Sequence, residues 1–116
     1  MTKLEIIDYV VEHYKTNPRS IGINGGCVYN GINGSHCAFG LMCSNPEELT
    51  EGEGVVFLIR GNIPRIKPEF SGHSEWFYVA IQLLHDYGSY WEETPEGNEL
   101  TQKGIKEVEK LKERYK

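Results

Sequence analysis

At 116 residues, 39% hydrophobic and 25% charged, the chain has the mass and composition of a single globular domain, residues 1–116, and not of a disordered or fibrous protein. Its net charge of −5 is unevenly placed: residues 101–116 carry six Lys/Arg against three Glu, and the rest of the chain carries six basic and fourteen acidic groups. An acidic body disfavours nucleic acid as a partner, since phosphate is met mainly by Lys and Arg, and no run nears the ~20 apolar residues that span a bilayer.

Residues 3–16 have the period of a helix. Leu4, Ile7, Val11 and Tyr14 recur at spacings of three and four, with Glu5, Asp8, Glu12 and Lys15 off that stripe. Thr2 is placed to cap it with Glu5 as its capping-box partner, and Pro18 ends it. Acidic residues inside the apolar pattern are unlike a signal peptide, and three cysteines, an odd number, do not suit a disulfide framework. A cytoplasmic location is therefore expected.

The stretch Ile21–Ser44 holds all three cysteines and two copies of Gly-Ile-Asn-Gly, at residues 22–25 and 31–34. Asn-Gly suits tight turns because both residues tolerate positive backbone angles. The expected structure is an irregular β-hairpin over about 26–38, with one short strand at Cys27–Tyr29 and a second near Ser35–Ala38. Cys37 then stands where a turn feeds a short helix. Pro46 suits a first helical position behind an Asn45 cap. The apolar run Val55–Ile59 leans to a strand through its β-branched residues, although its period decides nothing. Pro64 and Pro68 punctuate a loop over 60–73. A second helix is expected over 75–87, apolar nearly all round and hence central to the core. Residues 89–98 read as a loop or irregular hairpin. A last helix over 101–115 is capped by Thr101 and buries Ile105, Val108 and Leu111, and its basic residues form a solvated face. The fold class is α+β: about three helices (3–16, 75–87, 101–115) on a small hairpin.

Several chemistries can be set against these positions. Cys27, His36, Cys37 and Cys43 could ligate zinc, but the spacing lacks Cys-x-x-Cys knuckles, so no metal or cofactor is assigned. Cys37 at a helix start could be an activated thiol, with His85 as base and Asp86 orienting it, if the fold joins them. A His-Asp metallophosphohydrolase needs a further, later Asp that the chain lacks, and a local bond between His85 and Asp86 at a helix end is the simpler expectation. Glycine turns can form an anion-binding nest, which makes Asn24, Gly25, Gly26, Tyr29, Asn33, Gly34 and His36 candidates for a small anionic ligand, helped by Arg19, Arg60 or Arg65. The segment Leu100-Thr101-Gln102-Lys103-Gly104 resembles the step from wing to final helix in winged-helix regulators. The helix before it, however, has no Lys or Arg to lie in a major groove.

Cys27-Val28-Tyr29, Asn33-Gly34, Cys37-Ala38-Phe39-Gly40, Glu51-Gly52 and Leu83-Leu84-His85-Asp86, with Trp91 beyond them, form a pattern C-x-Y…G-x-x-C-A-x-G followed by E-G and H-D. It resembles a loosely defined set of small uncharacterised proteins of bacteriophages and bacterial mobile elements, over about residues 25–91. Cys43 and the Ile-Asn-Gly echo depart from that pattern. The resemblance implies a phage or mobile-element accessory protein and no particular activity. The expected function is binding without catalysis, of a host protein or a small ligand, with Tyr29, Ile32, Trp76, Tyr90 and Trp91 as candidate contacts. A Cys37–His85–Asp86 enzyme and a winged-helix-like DNA-binding protein are the alternatives.

Overall fold

The computed structural model of the chain describes residues 1–22, 27–32 and 34–116. Helix α1 spans Lys3–Lys15 and opens with the expected capping box: the Glu5 amide donates to Thr2 Oγ1 at 3.1 Å, and the Thr2 amide to Glu5 Oε1 at 2.8 Å. Its buried stripe is Ile6, Ile7, Val10, Val11 and Tyr14, wider than the one expected. A single turn, α2 (Ala38–Leu41), follows the glycine-rich stretch.

Val55–Arg60 is helix α3, not a strand. Glycines at 54 and 61 bound it, no strand among the described residues lies beside it to receive its backbone groups, and Val55 and Leu58 turn inward while Phe57 turns out. Six consecutive apolar or basic residues thus close their own hydrogen bonds. A turn at Pro46–Glu48 forms where Pro46 suggested it, but the Asn45 side chain does not cap it. That side chain instead joins Glu48, Ile63 and Arg65.

Helix α4 (Glu75–Asp86) packs against α1, α2, α3 and α5 and is the hub of the molecule. The chain continues into a two-stranded antiparallel sheet, β1 (Trp91–Glu93) and β2 (Asn98–Leu100), in the register Trp91↔Leu100, Glu92↔Glu99, Glu93↔Asn98. The regular hairpin therefore lies in the segment read as loop or irregular hairpin. Where the hairpin over 26–38 was expected, the described residues form isolated bridges instead, Ile21↔Cys27 and Asn30↔His36. The α+β class holds. Asn98 fixes the sheet to the end of α1 by donating to the Tyr14 and Asn17 carbonyls, at 3.0 Å each.

Helix α5 (Gln102–Tyr115) starts behind Thr101, whose hydroxyl accepts from the Gly104 amide at 3.1 Å. Val108 and Leu111 face the core as expected. Ile105 is exposed instead, because Gly104 takes the inward position. A Cβ there would stand 2.2 Å from the Tyr90 carbonyl oxygen, so only glycine lets α5 lie this close to the turn before β1. Among the described residues no helix is long and apolar enough to cross a membrane.

Candidate functional site

The last turn of α4 is tied to the segment Arg19–Cys27. A helix end leaves carbonyls unpaired, and the Arg19 guanidinium supplies them: it donates to the His85 carbonyl at 2.9 and 2.6 Å and to the Asp86 carbonyl at 3.2 Å. Arg19 also meets the Cys27 sulfur at 3.3 Å, and the Cys27 thiol points to the Asp86 carbonyl at 3.4 Å. The sulfur beside the His85-Asp86 doublet is thus that of Cys27, with donor atoms of Cys27, His85 and Asp86 all within 4.8 Å.

His85 is wholly buried, and both its nitrogens are engaged. The Ser20 amide donates to Nε2 at 3.1 Å, so the imidazole proton sits on Nδ1, which donates to Asp86 Oδ1 at 2.7 Å. Burial lowers the pKa of His85 and keeps the ring neutral, with Asp86 opposing that shift. Its one lone pair is occupied by an amide. The ring therefore has none left to take a thiol proton or to hold a metal ion. Cys27 is a resting thiol as well: burial raises its pKa, against a smaller lowering by Arg19.

Cys37 does sit at a helix start, but it is spent there. Its sulfur caps α2 by accepting from the Gly40 amide at 3.1 Å, its side chain is fully buried, and burial pushes the thiol up to about 12. Neither His85 nor Asp86 hydrogen-bonds it. The expected triad is not assembled: Asp86 and His85 bond each other locally, and Cys37 belongs to the core. Cys43, bridged to Ile66, is buried too, with its thiol raised to about 12.

Beside this knot lies a cleft of about 330 Å³ between the Cys27–Tyr29 segment, the turn Glu51–Val55 and α4. Val55, Val79 and Leu83 form an apolar wall, and Glu51, Glu53 and Asp86 supply carboxylates, while among the described residues no Lys, Arg or His lines it. Glu51 is clamped, accepting from the Tyr29 amide at 2.7 Å and the Asn30 amide at 3.0 Å. Asp86 receives Gln82 Nε2 at 2.8 Å besides His85. Tyr29 closes the wall with its ring buried and its hydroxyl donating to the Glu53 carbonyl.

The candidate anion-binding set is divided. Asn24, Gly25, Gly26 and Asn33 lie outside the described residues. Tyr29 belongs to the cleft. Gly34 and His36 border a different groove with His13 and Asn17, where His36 Nδ1 meets Asn30 Oδ1 at 3.0 Å. Gly34 does adopt the positive backbone angle expected of an Asn-Gly turn, φ +78°. The cleft formed by described residues carries charge of the wrong sign for an anion, and Arg60 is already paired with Glu75 at 2.7 Å.

A second feature was hidden in the composition of α4. Phe77, Tyr78, Ile81, Leu84 and His85 face the core, but the opposite side is also apolar and is bare. Trp76, Leu83 and Tyr87 are 61%, 44% and 52% exposed, and with Ala80 they fall at spacings of four, three and four along one face. Phe57, 77% exposed, projects from neighbouring α3. A helix apolar all round should be covered all round. This one is covered on one side. Of the other candidate contacts, Ile32 is exposed, Tyr90 half-buried, and Tyr29 and Trp91 buried, with the Trp91 indole donating to the Leu84 carbonyl at 2.8 Å. A hairpin precedes α5, and α4 contains no Lys or Arg to meet a phosphate backbone. Comparison with protein-family models, curated proteins and solved structures finds no match to the chain.

Proposed function

We propose that the protein acts by binding another protein through the bare face of α4, and that it performs no thiol chemistry. The observation that carries this reading is the row Trp76–Ala80–Leu83–Tyr87, three of whose side chains are large, apolar and exposed. Monomeric proteins seldom leave several large apolar side chains aligned on a rigid helix, and aromatic residues so placed are common interface anchors. The occupied imidazole of His85 and the high thiol pKa of Cys37 weigh against the cysteine-enzyme alternative. The C-A-x-G and His-Asp pattern supports a place among cytoplasmic accessory proteins of phages or mobile elements, for which a host protein is the natural partner.

Affinity capture from cells of the native host, compared quantitatively between wild type, Leu83→Asp and Cys27→Ala, tests this. The reading expects a protein held by wild type and by Cys27→Ala and lost from Leu83→Asp. Identical capture by Leu83→Asp and wild type, or loss with Cys27→Ala alone, would overturn it.

A further inference from the structure

The acidic cleft and the bare face of α4 are one continuous surface. Leu83 belongs to both: it lines the cleft with Val79 and Val55, and it stands in the exposed row with Trp76 and Tyr87. The cleft is deep enough for one long side chain, with apolar walls and carboxylates around them. The Glu53 carboxylate makes no hydrogen bond or ion pair with the described residues, and the Asp86 carboxylate receives its bonds through Oδ1. Such a site suits the aliphatic stem and charged head of Lys or Arg, which are buried and satisfied by different parts of one pocket.

We infer that the cleft is the anchor pocket of the docking face: the partner presents an amphipathic helix whose apolar side lies along Trp76, Ala80, Leu83 and Tyr87 and which lowers one Lys or Arg into the cleft. Charge selects this occupant over the alternatives. A second copy of the chain pairing through its own α4 would offer the cleft no cation, because Glu75–Asp86 contains no Lys or Arg. Arg60 of neighbouring α3 is already paired with Glu75. Parallel pairing opposes Asp86 to Asp86. A purely apolar helix would leave the cleft carboxylates unmatched at the edge of a drying interface, at a cost in desolvation. The row itself has the four-three-four spacing of a helix-packing seam, so a helix is the matching partner element.

The inference rests on the docking reading above, and its test separates the two. The probes are two Trp-free peptides of about 14 residues, long enough for a few helical turns: one of Leu, Ala and Lys patterned as an amphipathic helix, and one with each Lys replaced by Glu. Binding is read from Trp76 fluorescence at about 0.15 M ionic strength, where distant charges are largely screened. The Lys peptide should bind at least tenfold more tightly than the Glu peptide, with Glu53→Gln and Asp86→Asn each weakening it about fivefold, a loss comparable to that of one solvent-exposed ion pair. Glu92→Gln with Glu96→Gln, both exposed on the hairpin, should change nothing. Glu53→Gln removes an exposed carboxylate and keeps the test open should Asp86→Asn disturb the fold. Equal binding of the two peptides, equal losses from the cleft and hairpin variants, or no binding of the Lys peptide would overturn the inference. Binding that Leu83→Asp abolishes but cleft neutralisation leaves untouched would overturn the anchor alone. Binding indifferent to Leu83→Asp would overturn the docking reading as well.

Discussion

At the scale of single residues, the chemistry-bearing side chains hold the structure together. His85 links the Ser20 amide to α4 and shares a proton with Asp86, so His85→Ala should lower stability by about 3 kcal/mol, through an orphaned buried amide and a cavity. Urea denaturation would show it. The sign of the pH dependence follows from burial. His85 has a depressed pKa in the folded state, as does half-buried His13, so the unfolded chain takes up protons first. Stability is complete above the ordinary histidine value of 6.5 and declines as pH falls through it, and His85→Gln should flatten that decline. The thiols behave oppositely. Cys37 and Cys43 are raised from 9.0 to about 12, so stability holds below pH 9 and falls as pH climbs towards 12. At neutral pH neither should alkylate as fast as free cysteine, with Cys27, the half-buried one, the quickest of the three. Mass-resolved iodoacetamide kinetics decide that; a Cys37 faster than free cysteine would revive the thiol enzyme.

Secondary-structure elements carry the difference between what could be read in the sequence and what could not. Caps and periods were legible: the Thr2 box, the Thr101 cap and the α1 stripe all rest on local chemistry that no distant residue overrides. Val55–Ile59 misled because a five-residue apolar run fits strand and helix alike, and its glycine boundaries, Gly54 and Gly61, decide only when no neighbouring strand exists. The hairpin moved to 91–100 because Asn98 anchors it to α1, a bond spanning more than eighty residues that no local pattern encodes. The site was half legible. Cys27, His85 and Asp86 were all marked, but Cys37 was joined to His85 where Cys27 belongs, since sequence adjacency to a helix start says nothing of depth. Glu51, Glu53 and Gln82 gave no signal beyond a Glu-Gly turn. The apolarity of α4 was visible, but which of its faces stays bare depends on how the other helices stack. Two tests belong to this scale. Gly104→Ala should destabilise by about 2 kcal/mol despite alanine's better helix propensity, because the new Cβ strikes the Tyr90 carbonyl, and thermal unfolding reads the loss. Trp76→Ser should leave stability within about 0.5 kcal/mol of wild type, as expected for an exposed side chain without structural partners.

For the molecule as a whole, the division of labour is spatial. Cys27, His85 and Arg19 close the end of α4, while the outer side of the same helix offers an apolar row bordered by the Glu51, Glu53 and Asp86 carboxylates. The basic residues of α5 are a solvated face, tied inward by Lys112 to Asp8. One measurement meets the central claim directly. The chain has two tryptophans, Trp76 on the bare face and Trp91 in the core, so 5-fluorotryptophan labelling gives one fluorine signal for each. On addition of the partner recovered by capture, the Trp76 signal should shift and lose its solvent-isotope response while that of Trp91 stays in place. A bound partner that leaves Trp76 unmoved would contradict the account.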